Sequence, residues 1–270
     1  MDEIVENKLQ EIKKMIIRMT YKAQVSHVGA ALSVVDILYS LYFDVTDINS
    51  DNIEDKNRDV IILSKGHASA ALYSVLYYKG LISKNYIETY AINGGELPCH
   101  IDKNKSLFFE VSTGSLGHGP SVAVGMALAK KMDKLEGRVY VICGDGECNE
   151  GSVWEAIMFA GTHRLNNLTL IIDYNKLQAF GKTNEVIDQS NIKARFEDFN
   201  FDTLEIDGHN LTELSKALRY KSARPICIIA NTIKGKGVSF MEDKLEWHYK
   251  SPNEEQMLIS IKEIEYGEHQ

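Results

Sequence analysis

Apolar residues recur along this chain in two rhythms. Runs at Val60 to Leu63, Val139 to Cys143, Leu168 to Asp173 and Ile226 to Ala230 are continuously apolar rather than alternating, which is the pattern of strands buried on both faces. Between and around them lie segments with helical spacing. Glu3 to Gln24 carries Ile4, Val5, Leu9, Ile12, Ile16 and Met19 as one stripe among charged residues, and Val34 to Tyr42, His67 to Lys79, Pro120 to Lys134, Ser152 to Arg164 and Leu211 to Tyr220 follow. Strands alternating with helices predict a mostly parallel sheet with right-handed crossovers and helices on both faces, a three-layer α/β/α fold. No Pro-rich or Gly/Ser-rich linker and no fixed-period repeat breaks the pattern, so one domain over residues 1–270 is expected.

Charge narrows the ligands. Thirty Lys and Arg stand against 38 Asp and Glu, a net charge of -8, which argues against a general nucleic-acid or anionic-membrane surface and requires any anionic ligand to be held locally. A composition of 44% hydrophobic residues with 19 Gly and 4 Pro excludes disordered, collagenous and disulfide-scaffold classes. The acidic opening Met1-Asp2-Glu3 does not resemble a signal peptide, and no run approaches the roughly 20 unbroken apolar residues of a membrane span. A soluble, cytoplasmic protein is expected. Cys99, Cys143, Cys148 and Cys227 form neither a CxxC pair nor a zinc spacing; they read as small buried hydrophobes, and no role is assigned to Cys148 in its Gly-flanked loop.

The segment Val139-Tyr-Val-Ile-Cys-Gly-Asp-Gly146 ends a buried strand with a carboxylate clasped by glycines, just before a helix. Parallel sheets bind ligands beyond the carboxyl ends of their strands, where Gly admits a phosphate to the backbone and helix N-termini favour negative charge. About thirty residues after Asp145, the strand Leu168 to Asp173 runs into Tyr174-Asn175-Lys176-Leu177. Neighbouring strands would bring the Asp145 and Asn175 oxygens together. Mg²⁺ takes about six oxygens, commonly one carboxylate, a neutral oxygen, water and ligand phosphates. Gly-Asp-Gly alone is an ordinary turn; joined to Asn175 it matches the thiamine diphosphate motif.

Further motifs specify a family: Ser26-His27-Val28-Gly29, Leu63-Ser-Lys-Gly66-His67-Ala68, Leu97-Pro-Cys-His100, Gly114-Ser-Leu-Gly117-His118-Gly119 and Gly144-Asp-Gly-Glu-Cys-Asn-Glu150-Gly151. Together they resemble transketolase from about Thr20 to His248. A complete transketolase also has pyrimidine-binding and C-terminal domains, so the chain is similar to the N-terminal subunit of a split transketolase. Departures from the family pattern are Val28 for Pro, Ser115 for Pro, His118 for Gln and Tyr249 for Gly.

The resemblance implies that Asp145, Asn175 and the Leu177 carbonyl coordinate Mg²⁺, or another divalent cation such as Ca²⁺ or Mn²⁺. It implies that Gly144 and Gly146 flank the diphosphate with His67 and His248 near it, that Gly114 and Leu116 contact the aminopyrimidine, and that Glu150 lies at a subunit contact. His27, His67, His100 and His248 would be the catalytic histidines, suited to exchanging protons with sugar hydroxyls near neutral pH, whereas His163, His209 and His269 read as surface or packing residues. The implied reaction transfers a two-carbon ketol unit from a ketose phosphate to an aldose phosphate, as in pentose phosphate metabolism, with a modified sugar as another substrate class. The implied partner is a separate C-terminal subunit, in a heterotetramer with two copies of each chain. Two rival readings are the α subunit of a 2-oxo acid dehydrogenase, which the His27, His67 and His100 set argues against, and a non-catalytic scaffold, which intact Asp145 and Asn175 argue against.

Overall fold

The computed structural model describes residues 3–266. Its centre is a five-stranded sheet of β1 (Val60–Leu63), β2 (Val139–Gly144), β3 (Leu168–Tyr174), β4 (Asp202–Asp207) and β5 (Ile226–Asn231), in the order β1-β2-β3-β5-β4. Every pairing is parallel, with Val60 opposite Val139, Val139 opposite Leu168, Thr169 opposite Ile226 and Asp202 opposite Ile226. The expected α/β fold and its parallel sheet are therefore present.

The helices are α1 (Glu3–Ala23), α2 (Val28–Tyr39), α3 (Ser69–Tyr78), α4 (Lys84–Ile87), α5 (His118–Met132), α6 (Gly151–Thr162), α7 (Thr183–Val186), α8 (Ile192–Asp198), α9 (Leu211–Leu218) and α10 (Glu254–Tyr266). Strand period two sends successive side chains to opposite faces, and the core divides accordingly. Ile61, Leu63, Tyr140, Ile142, Ile171, Ile226 and Ile228 pack with residues of α1, α2, α3 and α9. Val60, Ile62, Val139, Val141, Leu170, Ile172 and Ile229 pack with residues of α5, α6 and α8. Each face is covered, which is why these strands read as continuous apolar runs.

Several expectations change. The second helix begins at Val28, not Val34, and gives way to a π-helical turn at Ser40–Val45. All twelve residues of α2 are buried, so it has no polar face and no stripe to mark where it starts. Val28–Val45 is also long and apolar enough to cross a membrane, but 83% of it is buried inside the protein. The third helix begins at Ser69, because Gly66–Ala68 forms a 3-10 turn holding His67. Five elements were not anticipated: β4, α4, α7, α8 and α10. The β4 strand lies at the sheet edge with the half-polar sequence DTLEID, where a strand needs few apolar positions. The α10 helix opens with reciprocal bonds, Gln256 N–H to Asn253 Oδ1 at 2.8 Å and Asn253 N–H to Gln256 Oε1 at 3.0 Å. It packs Met257, Ile261 and Ile264 on the α1 side of the core, a capping box followed by an apolar stripe.

Candidate active site

The carboxyl ends of β1, β2, β3 and β5 open into one cleft of about 400 Å³. Its lining includes all the sequence-derived site residues: His27, His67, His100, Gly114, Leu116, Gly144, Asp145, Gly146, Glu150, Asn175, Leu177 and His248. Parallel pairing brings the ends of β2 and β3 to the same side of the sheet, with Gly144 opposite Asp173, one residue before β3 ends at Tyr174.

Asp145 starts the turn after β2. It is 3% exposed, and its carboxylate accepts from the Gly146 N–H at 2.8 Å and from Thr183 Oγ1 at 2.7 Å. Its carboxyl is raised above the usual range by burial and by the nearby Asp173 charge, against the pull of the Thr183 bond. Asn175 is also buried and accepts from the Leu177 N–H at 3.1 Å. The Leu177 carbonyl accepts from Lys234 Nζ at 3.1 Å. A buried carboxylate bonded to a hydroxyl and an amide, beside an amide oxygen and a backbone carbonyl, forms an oxygen donor set that suits a hard divalent cation. Two buried ammonium groups lining the same cleft, Lys65 and Lys234, suit an anion bound with it. Burial and the Lys65 charge push the Lys234 ammonium down to about 8.

Several residues beneath the cleft escaped the sequence reading. Lys65 is buried against Asp173 and donates to the Ala30 carbonyl at 3.1 Å. Asp173 also accepts from Ser33 Oγ at 2.6 Å and from Thr232 Oγ1. Burial opposes ionisation of Asp173, but Lys65 and the two hydroxyls outweigh it and hold the carboxyl below the usual range. Glu147, 1% exposed, accepts from Ser64 Oγ, from the Gly117 N–H at 2.8 Å and from the Gly144 N–H at 3.2 Å. It ties the β1 end, the loop before α5 and the Gly-Asp-Gly turn into one frame. Lys65 and Glu147 lie inside the motifs quoted above, which was the available signal.

The histidines gather at the other end of the cleft. Ring centroids are 5.0 Å apart for His27 and His67, 5.0 Å for His27 and His248, 5.9 Å for His67 and His248, and 6.2 Å for His27 and His100. His27 precedes α2 with φ of 75°, a left-handed conformation that costs a side-chain-bearing residue energy, and its N–H donates to the His248 carbonyl at 3.1 Å. Gly114, at φ of 152°, passes so near His100 that a Cβ there would lie 2.9 Å from His100 Cδ2. His248 Nδ1 lies 2.9 Å from Lys234 Nζ. An ammonium only donates, so the neutral ring carries its proton on Nε2.

Burial, then the His100 and Lys234 charges, lowers His27 to about 4; burial, then Lys234, lowers His248 to about 3. Burial and the Lys65 charge put His67 well below its ordinary value. The rings are thus neutral at pH 7. An unfolded chain binds protons on these rings near pH 6.5, so they make the folded chain lose stability as pH falls from 6.5 towards 4. Asp145 and Glu147, with raised carboxyls, act in the opposite sense. The expected result is therefore a difference: the thermal midpoint of the wild type falls more steeply over that window than that of a His27→Gln, His248→Gln double variant.

Other assignments resolve simply. His209 Nδ1 lies 2.6 Å from Asp36 Oδ2 and its Nε2 accepts from the Ile233 N–H at 2.9 Å, outside the cleft. His163 is exposed beside Phe159, and His269 lies outside the described residues. Cys148 is 2% exposed and burial raises its thiol well above the ordinary value, the state of an inert cysteine. His118 is exposed at the start of α5.

Residues 4–267 match the family described as transketolase, thiamine diphosphate binding domain. The chain is 39% identical over 265 residues to a Phocaeicola vulgatus protein named as one subunit of apulose-4-phosphate transketolase, covering 97% of this chain and 94% of that one. It is 39% identical over 264 residues to 6-deoxy-6-sulfo-D-fructose transketolase subunit SqwG of a Clostridium species, covering 97% and 96%. The structure of transketolase from Campylobacter jejuni superposes with a TM-score of 0.89 at 31% identity, covering 98% of this chain and 43% of that one.

Proposed function

The chain belongs to the transketolase family, whose thiamine diphosphate-binding domain it matches almost end to end, and from that premise we propose that it is the cofactor-anchoring subunit of a two-subunit transketolase. The reaction is transfer of a two-carbon ketol unit from a ketose to an aldose. The observation that carries this reading is the shared cleft, with Asp145, Asn175 and Leu177 at one end and four histidine rings at the other. A 2-oxo acid dehydrogenase subunit does not account for the family match, and the retained donor set of Asp145, Asn175 and Leu177 in the cleft speaks against a scaffold that has lost its chemistry.

In this reading Asp145, Asn175 and the Leu177 carbonyl hold Mg²⁺, with Ca²⁺ or Mn²⁺ as substitutes. The Gly144–Gly146 turn, His67 and His248 approach the diphosphate, and Gly114 and Leu116 face the aminopyrimidine. When bound, thiamine diphosphate supplies the electron sink for breaking the bond beside a ketose carbonyl. The protein's part is proton handling and position. His248, held by Lys234, presents an Nε2–H donor. Ser26 Oγ engages His27 Nδ1 at 2.9 Å, leaving Nε2 for a substrate hydroxyl. Neutral imidazoles exchange protons at both nitrogens without adding charge to the site.

A separate subunit supplies the pyrimidine-binding half in this reading, which is supported by the naming of two relatives as transketolase subunits. The proposal extends to a heterotetramer of two plus two with Glu150 at the subunit contact, in keeping with the prevalence of closed twofold-symmetric assemblies. The cytoplasm is the compartment consistent with sugar-phosphate substrates. The relatives' names, one a phosphorylated sugar and one a sulfonated sugar, support the proposal of a sugar bearing an anionic end group as substrate.

The test is calorimetric titration of thiamine diphosphate with Mg²⁺ into this chain, alone and mixed with the candidate partner, followed by a ketol-transfer assay. Turnover only in the mixture supports the proposal; full turnover by this chain alone overturns the two-subunit reading. In the mixture, His100→Ala is expected to lower kcat at least about 100-fold, the scale of a lost proton-transfer group, with thiamine diphosphate affinity unchanged.

A further inference from the structure

Beside the Gly-Asp-Gly turn the cleft wall contains a directed chain of three amides. Gln189, 1% exposed, donates from Nε2 to the Asp145 carbonyl at 2.9 Å and to Asn149 Oδ1 at 2.7 Å. Asn149 in turn donates from Nδ2 to Gln178 Oε1 at 3.1 Å. A backbone carbonyl accepts only, so it fixes which end of Gln189 faces Asp145. Each amide then orients the next. The polarity runs outward to Gln178, leaving its Nε2–H₂ as the terminal donor.

Among the described residues that donor has no partner. Gln178 is 8% exposed, it lines the cleft, and its Nε2 is buried without a hydrogen-bond acceptor. Its side chain covers Gly146 so closely that a Cβ on that glycine would lie 3.1 Å from Gln178 Cγ. Buried donors are rarely left unsatisfied, and those that are call for an explanation. An N–H donor is repelled by a cation and attracted by an anionic oxygen, so of the two components expected beside Asp145 it serves the phosphate and not the metal.

We infer that the Gln178 carboxamide donates a hydrogen bond to an anionic oxygen of the cofactor diphosphate, its orientation set by the Gln189–Asn149 relay anchored on the Asp145 carbonyl. This rests on the thiamine diphosphate reading above and adds a positioning contact from the loop after β3. The relay couples that loop, through Gln189 and Asn149, to the turn that carries Asp145, so diphosphate binding and metal-site geometry are linked through hydrogen bonds.

The test uses the complex of this chain with its partner subunit, titrated with thiamine diphosphate at saturating Mg²⁺ and, separately, with inorganic pyrophosphate and Mg²⁺. Gln178→Met, which removes the donor, is expected to weaken both ligands about tenfold, as for loss of one hydrogen bond to a charged group. Gln178→Glu keeps an acceptor for Asn149 and nearly the same volume, so it folds, but it turns a carboxylate toward the diphosphate. It is expected to weaken both ligands at least about 100-fold. Wild-type affinity in Gln178→Glu overturns the inference, as does a lowered unfolding midpoint of either apo variant with unchanged affinity, which marks a purely structural amide. Failure of the wild-type complex to bind thiamine diphosphate at all overturns the cofactor reading instead.

Discussion

Asp145→Asn is expected to weaken thiamine diphosphate binding in the presence of Mg²⁺ by at least about 100-fold while leaving the apo fold as stable as the wild type. The loss follows from removing the one negative charge in the proposed cation donor set; changes merely behind metal ligands already cost about 10–100-fold. The retained stability follows from what surrounds the side chain. Asp145 is 3% exposed and its carboxyl is raised by burial, so ionisation is a cost to the apo chain. An asparagine oxygen still accepts from the Gly146 N–H. The Thr183 hydroxyl, which donates to the carboxylate, can turn and accept from the new amide. Calorimetry of cofactor binding beside urea unfolding of the apo chain separates the two effects. A large loss of apo stability would show that the carboxylate is there to hold the fold rather than to hold a cation.

Lys65→Met is expected to produce the largest stability loss, about 3–5 kcal/mol, because it leaves Asp173 as an uncompensated buried charge. Lys65 is 1% exposed and Asp173 fully buried, so water cannot replace the lost ammonium. The Asp173 carboxyl, held low in the wild type chiefly by Lys65 against the effect of burial, should rise in the variant. A raised folded-state value makes the folded chain bind the proton more readily than the unfolded one, so the variant regains stability as pH falls. The wild-type pair contributes in the opposite sense, its depressed carboxyl losing stability in acid. Adding Asp173→Asn to Lys65→Met should restore most of the loss, since an amide still meets the Ser33 and Thr232 hydroxyls. Urea unfolding of the wild type and the two variants at neutral and mildly acidic pH checks both the magnitude and the sign. An unchanged deficit across pH would mean that lost packing, not charge, dominates.

Much of the cleft was legible because it lies where strands end. Asp145 follows β2 and Asn175 follows β3, and the parallel register, with Gly144 opposite Asp173, brings both to the same end of the sheet one residue out of step. The four histidines were legible only through their motifs. His27, His67, His100 and His248 are far apart in the chain and share no period; their rings meet because α2, the 3-10 turn after β1 and the segment before α10 converge at the same sheet edge. Helix α2 began earlier than expected because a wholly buried helix has no polar face to contrast with its apolar one. Edge strand β4 was missed for the converse reason, having too few apolar positions to stand out.

By itself the sequence determined the layers and the reactive edge, because burial on one or both faces leaves a periodic trace in every strand and most helices. Only the tertiary structure decided the polar framework: Lys65 against Asp173, Glu147 joining three loops, and the amide relay ending at Gln178. Hydrogen bonds and ion pairs depend on which donor meets which acceptor in three dimensions, and partners such as Asn149 and Gln178, 29 positions apart, or Lys65 and Asp173, 108 apart, leave no local period to read.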